Sequence, residues 1–145
     1  MAATLAENWF AAGIAILERL REACPQFVRH AYAPSLDVLG RVLTGVTPAV
    51  YVVPGPCTGG SGARQTWYVA IHARQVEGVA EGSGLMAEAG ALVSAVLDAL
   101  KHFDPGPEFA SLFMPPEDHR YPDVGQGVYI LSYATEIEPD FWPYY

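Results

Sequence analysis

Two apolar runs flanking a glycine- and proline-rich loop constrain the centre of the chain. The first, residues 49–53, reads Ala-Val-Tyr-Val-Val between two prolines, and its β-branched and aromatic side chains predict a strand. The second, residues 65–74, alternates apolar side chains with a more polar set that includes His72, which predicts a strand with two different faces. The loop over residues 54–64 holds four glycines and two prolines. We therefore expect an antiparallel hairpin.

Two amphipathic helices are predicted before and after this hairpin. Residues 5–23 place apolar side chains at three- and four-residue steps, with Thr4 as the predicted N-cap and Pro25 as the stop. Residues 85–103 carry a broad apolar face, Ser83 is their predicted cap, and an Asp-Pro-Gly-Pro run ends them. Helices with such faces usually pack across a sheet.

Shorter elements complete the prediction. Residues 27–32 are predicted to form a short extended segment, followed by a helical turn that Ser35 caps and Gly40 ends. Residues 108–114 are predicted to form a short strand, and a long polar loop follows. Residues 128–138 alternate over their whole length, which predicts a further strand.

The order of elements predicts an α+β fold with an antiparallel sheet of about four strands and two main helices on one face. A length of 145 residues fits one domain. We assign residues 1–138 to that domain and residues 139–145 to an aromatic C-terminal tail. The glycine-rich loop lacks the lysine ending of a phosphate-binding loop and leads into a strand, so we predict no phosphate site there.

The chain is short of charge and acidic. Charged residues make up 17% of it and its net charge is −8, against about 25% charged residues in an ordinary soluble domain. A surface so poor in charge favours an oligomer. No apolar run is long enough for a membrane span and no signal peptide is recognisable. The negative charge disfavours binding to nucleic acid through phosphates.

Few residues offer catalytic or metal chemistry. Cys24 and Cys57 are predicted to be reduced thiols, one at a helix end and one in a loop. The four histidines are far apart in sequence: His30, His72, His102 and His119. The polar run Glu117, Asp118, His119 and Arg120 is interpreted as a solvated loop tip or a subunit contact, with metal or acid–base chemistry as the alternative.

Four of the seven residues in the segment 139–145 are aromatic. Tyrosine and tryptophan are favoured anchors at interfaces. Three interpretations stay open: docking on its own domain, docking on a neighbouring subunit or partner, and disorder.

Four blocks of sequence occur in a fixed order: the helix over residues 5–23, residues 47–53, residues 65–71, and the helix over residues 87–103 followed after a loop by residues 126–135. In this order they resemble the tail-terminator proteins, also called tail-completion proteins, of tailed bacteriophages. The best local signals are Pro-Ala-Val-Tyr-Val-Val and Gln-Thr-Trp-Tyr-Val-Ala-Ile.

The resemblance implies an α+β subunit of a homohexameric ring that sits on the last ring of the tail tube. Such a ring ends tube growth and meets a neck or head-completion protein on its other face. It implies a virion component assembled in the host cytoplasm, with no cofactor, metal or catalysis. An acidic ring also suits the passage of DNA, since a basic lumen would retain it.

Two other functions stay open. One is another small phage neck or tail-completion binding module. The other is a small hydrolase or metal-dependent enzyme, which requires at least three of His72, His119, Asp118 and Cys57 to converge. For the assembly function, the candidate subunit or partner contacts are Arg64, Glu117, Asp118, His119, Arg120, Phe141, Trp142, Tyr144 and Tyr145.

Overall fold

A computed structural model describes residues 4–42, 46–59, 63–73, 82–116 and 127–138. In chain order the elements are α1 (Ala11–Ala23), β1 (Arg29–Tyr32), α2 (Leu36–Val42), β2 (Ala49–Thr58), β3 (Arg64–His72), α3 (Gly82–Leu100) and β4 (Val128–Glu136). The predicted α+β class is confirmed.

The four strands form one sheet in the order β1-β2-β3-β4. The β2–β3 and β3–β4 pairs are antiparallel, as the sequence predicts, whereas β1 runs parallel to β2. The connection from β1 to β2 contains α2, which gives the chain room to cross over and return in the same direction. The sheet is therefore mixed at one edge.

The hairpin strands extend into the region predicted as a loop. β2 continues past Val53 to Thr58, with an irregular register between Pro54 and Cys57. A bulge of this kind accommodates prolines, which cannot donate to the strand ladder. Gly55 is needed at the bulge, since an added Cβ would lie 2.8 Å from a ring carbon of Tyr68. The loop prediction was wrong for these residues.

The main core lies between the sheet and the pair α1 and α3, so both main helices occupy one face, as predicted. Trp67 and Val69 of β3 share one face of that strand, as the alternation predicts, and both belong to this core. Leu131 and Tyr133 of β4 belong to it as well. A second cluster on the opposite face joins Tyr51, Val53 and Tyr68 to Leu39 of α2. That helix was predicted only as a turn.

The predicted cap of α2 is confirmed, but its predicted end is wrong. The backbone N–H of Val38 donates to the Ser35 hydroxyl oxygen over 3.1 Å. The helix continues through Gly40 to Val42.

The first main helix begins six residues later than predicted, at Ala11. Residues 4–10 form turns instead. The N–H of Leu5 donates to a carboxylate oxygen of Glu108 (2.7 Å), and the N–H of Phe10 donates to the Asn8 side chain (2.9 Å). The Thr4 hydroxyl donates to the Glu7 carboxylate (2.8 Å) within this turn. In a helix that began at Leu5 the N–H of Phe10 would donate to the Ala6 carbonyl, so its bond to the Asn8 side chain interrupts that pattern.

The second main helix begins at Gly82, so Ser83 lies inside it and the predicted cap was wrong. It ends at Leu100, three residues before the predicted end, and His102 follows with a φ of 54°. A left-handed residue of this kind terminates many helices.

Residues 108–114, predicted as a short strand, lie along the outer edge of β4. This segment forms two isolated bridges instead of a strand: Phe109 pairs with Ile137 and Phe113 pairs with Ala134. Prolines and short polar residues interrupt the ladder on either side.

Candidate functional site

An open apolar cavity of 470 Å³ lies between the start of α1 and the sheet. We name it the aromatic groove. It is lined by Asn8, Phe10, Ile14, Tyr32, Ala33, Pro34, Pro54 and Trp67. Asn8 is the single amide in this set, and its oxygen already accepts the N–H of Phe10. The groove therefore offers ring and aliphatic surface, with little capacity for further hydrogen bonds.

Trp67 forms the floor of the groove and is held from three sides. Its ring stands edge-on to Phe10, with centroids 6.2 Å apart. Its indole N–H donates to the Gln65 side-chain oxygen over 3.3 Å, and the Gln65 amide donates to the Trp9 carbonyl over 3.0 Å. Gly13 permits α1 to approach the indole closely. This packing fixes the position of the N-terminal segment over β3.

The opposite wall comes from the end of β1 and from the bulge in β2. Tyr32 and Val52 are register partners, and Pro54 is the partner of Trp67, so these residues lie on the helix-bearing side of the sheet. Pro34 lies between the end of β1 at Tyr32 and the start of α2 at Leu36. This wall therefore consists of the Tyr32 ring and two prolines.

The groove exposes large rings to water. Phe10 and Tyr32 are each 51% exposed, while Trp67 between them is buried. Large exposed apolar patches on a protein surface often mark sites of interaction with another molecule. Cavities of about 300–1,000 Å³ with apolar walls are typical of binding sites.

The predicted contact Arg64 is the first residue of β3, opposite Glu136 of β4. Its guanidinium carbon lies 5.1 Å from the centre of the Phe113 ring, and its backbone N–H donates to the Thr58 hydroxyl. The other candidate contacts lie outside the described residues: Glu117, Asp118, His119, Arg120, Phe141, Trp142, Tyr144 and Tyr145. Arg64 is not part of the aromatic groove.

Of the four side chains that the enzyme alternative requires, the structure describes Cys57 and His72, and these two do not converge. Cys57 lies opposite Gln65, and His72 lies opposite Ala49, so the two are seven positions apart along the hairpin, or roughly 23 Å at the rise of a strand. Asp118 and His119 lie outside the described residues.

Partial desolvation shifts the pKa of both groups. It lowers the pKa of His72, which favours neutral imidazole, and it raises the pKa of the Cys57 thiol. A nucleophilic cysteine needs the opposite shift. Desolvation also raises the pKa of Cys24 at the end of α1, and both thiols are free. Cys57 belongs to β2 and not to a loop, which corrects one sequence prediction.

Among the residues that the structure describes, no three His, Cys, Asp or Glu side chains are grouped so as to hold a metal ion. In the same part of the chain no helix combines the length and apolarity needed to cross a bilayer.

Sequence reasoning placed Phe10 in the stripe of α1 and Trp67 on the core face of β3, but did not bring them together as a site. The groove is built from four separate stretches of the chain. The available signal was the Trp-Phe pair at the start of α1 together with isolated prolines after two strands.

A family model described as "Phage tail terminator protein" matches residues 6–139, which is most of the chain. No curated protein matches the sequence.

Proposed function

Because the chain belongs to the phage tail terminator family, we propose that it caps the head-proximal end of a tail tube as a homohexameric ring. Family membership gives it a structural role in phage tail assembly and a place in the virion. The proposed ring stops the addition of tube subunits and offers its other face to a neck or head-completion protein. The family match over residues 6–139 is the observation that carries this proposal.

The scarcity of charge supports an assembled subunit. A ring subunit covers two different side surfaces and also stacks on other rings, and interface cores are depleted of charge. Only 17% of this chain is charged, and the aromatic groove leaves half-exposed rings on its surface. Association would remove such surface from water.

We assign residues 1–138 to one ring-forming domain and residues 139–145 to an appended segment. The proposed contacts with subunits or partners are Arg64, the run Glu117, Asp118, His119 and Arg120, and the aromatics Phe141, Trp142, Tyr144 and Tyr145. Arg64 and Arg120 would pair with acidic groups of a neighbour, which an acidic chain supplies in excess.

The net charge of −8 suits a ring through which DNA slides without being held. We propose assembly in the host cytoplasm, before heads and tails join. The proposed function requires no cofactor and no chemical step.

Tube growth tests the proposal. Purified tail-tube protein of the same phage is polymerised with and without the full chain, and tube lengths are measured by electron microscopy. We expect shorter tubes, each with an added ring at one end. Unchanged lengths with bare ends would contradict the proposal.

The segment with the aromatics gives a second test. Removal of residues 141–145 is expected to weaken ring formation or docking on the tube, because large rings are frequent anchors at interfaces. Size-exclusion chromatography with light scattering and the tube assay measure the two effects. Assembly and capping indistinguishable from those of the full chain would refute a role for these residues.

A further inference from the structure

We propose that the aromatic groove binds residues 139–145 of the same chain. The segment reads Pro-Asp-Phe-Trp-Pro-Tyr-Tyr and follows directly on Glu138. This would make Phe10, Tyr32 and Trp67 the walls of an internal docking site rather than isolated surface rings.

The chemistry of the two partners matches. The groove is walled by rings and prolines, and the amide oxygen of Asn8 is already occupied by the N–H of Phe10. The segment brings four aromatic side chains and two prolines. Grooves lined by aromatics bind proline-containing segments well, since proline restricts the free chain and less conformational entropy is lost on docking.

The segment starts on the correct side of the sheet. Ile137, just before it, belongs to the same buried cluster as Trp67, which lies on the face that carries α1 and α3. The N–H of Ile137 donates to the Ala63 carbonyl over 2.7 Å, which fixes the end of β4 next to the start of β3.

The distance can be spanned. Trp67 is four positions beyond Ala63, or about 13 Å at the rise of a strand. Seven extended residues cover up to roughly 23 Å. The segment can therefore reach the groove while β4 stays paired, and attachment to the same chain gives it a high effective concentration there.

Docking of the segment also leaves some of its aromatic side chains free to contact a neighbouring subunit. In an extended segment successive side chains point to opposite sides. One half would enter the groove and the other half would stay outside, available to a neighbouring subunit. This last step depends on the proposed capping function, whereas the docking itself does not.

The first test measures the exposure of Trp142 in the full chain. Acrylamide quenching of the chain and of its Trp142→Phe variant is compared, so that the difference reports Trp142 alone. We expect a protected Trp142. Phe10→Ser combined with Tyr32→Ser removes two walls and lowers the ratio of docked to undocked molecules roughly 100-fold, which exposes Trp142.

The matched control is Val28→Ser, which also removes an exposed apolar side chain but lies outside the groove. It should leave the quenching of Trp142 unchanged. Trp142 that is freely quenched in the unaltered chain, or equally quenched in the groove and control variants, overturns the proposal.

Crosslinking identifies which chain supplies the segment. With Cys57→Ser removing the exposed thiol, Pro34→Cys is paired with Asp140→Cys, and Val28→Cys with Asp140→Cys is the control pair at the other end of β1. A short bifunctional maleimide should link the first pair within a single chain and leave the control pair unlinked. Linked dimers, or equal linkage in both pairs, overturn docking on the same chain. Failure of the chain to cap tubes would leave these readouts unaffected.

Discussion

The close approach of α1 to Trp67 makes Gly13 the most informative position in the core. A Cβ added there would lie 2.4 Å and 2.5 Å from two ring carbons of Trp67. The indole is buried and its N–H is bonded to Gln65, so it has little freedom to move away. Gly13→Ala is therefore expected to destabilise the fold although alanine is the better helix former.

Two opposing effects determine how much Gly13→Ala changes the free energy of unfolding. Overpacking at a rigid contact costs about 2–3 kcal/mol, and replacing glycine by alanine within a helix stabilises by about 1 kcal/mol. The expected net loss is about 1–2 kcal/mol, equivalent to a fall in Tm of about 3–6 °C for a domain of this size. Urea unfolding at one fixed protein concentration measures the free energy directly.

Gly90→Ala is the matched control, because an added Cβ on that α3 glycine meets nothing within 4 Å. It should raise stability by about 1 kcal/mol. In a Trp67→Leu background the obstacle is gone, and Gly13→Ala should then be stabilising like the control. A Gly13→Ala variant as stable as the parent chain would refute this account of how α1 is seated.

Three further predictions follow from buried polar groups and from the helix end. Gln65→Glu replaces the amide that donates to the Trp9 carbonyl by an acceptor, and should lower the free energy of unfolding by about 2–3 kcal/mol in urea titrations, against no change for exposed Glu138→Gln. Burial raises the pKa of Tyr133 to about 12, above its value of roughly 10 in the unfolded chain. The folded state therefore keeps a proton that the unfolded state loses, and about 2 kcal/mol of stability present below pH 10 should disappear as the pH rises through 12, but not in Tyr133→Phe. His102→Gly should raise Tm, because glycine adopts the φ of 54° at the end of α3 at about 1 kcal/mol lower cost. A fall in Tm would contradict this reading of the helix end.

Strand periodicity in the sequence was sufficient to predict which side chains of a strand share a face of the sheet. Along β3 and β4, Trp67, Val69, Leu131 and Tyr133 all belong to the core that contains α1 and α3. Because both faces of these strands are largely buried, alternation alone does not assign the helices to one of them.

Contacts between distant residues decided what the sequence could not. The N-terminal turn is anchored by Glu108, whose carboxylate accepts the N–H of Leu5 from 103 positions away. The helical spacing of apolar residues continues through residues 5–10, so the local sequence does not predict that bond. The parallel pairing of β1 likewise depends on the crossover through α2, which its four residues cannot reveal.

The aromatic groove shows the same limit. Phe10, Tyr32, Pro54 and Trp67 come from four stretches of the chain and meet only after the sheet has formed. The order of the sequence blocks predicted the family instead, and the family match confirms that family.

The most direct test of the proposed function is the number of chains bound per tail tube. Tubes of different lengths are saturated with labelled chain, freed of unbound protein, and counted for bound copies per tube by single-particle fluorescence. We predict one hexamer per tube, located at one end and independent of tube length. Binding that increases with tube length, or no binding at all, would contradict the capping function.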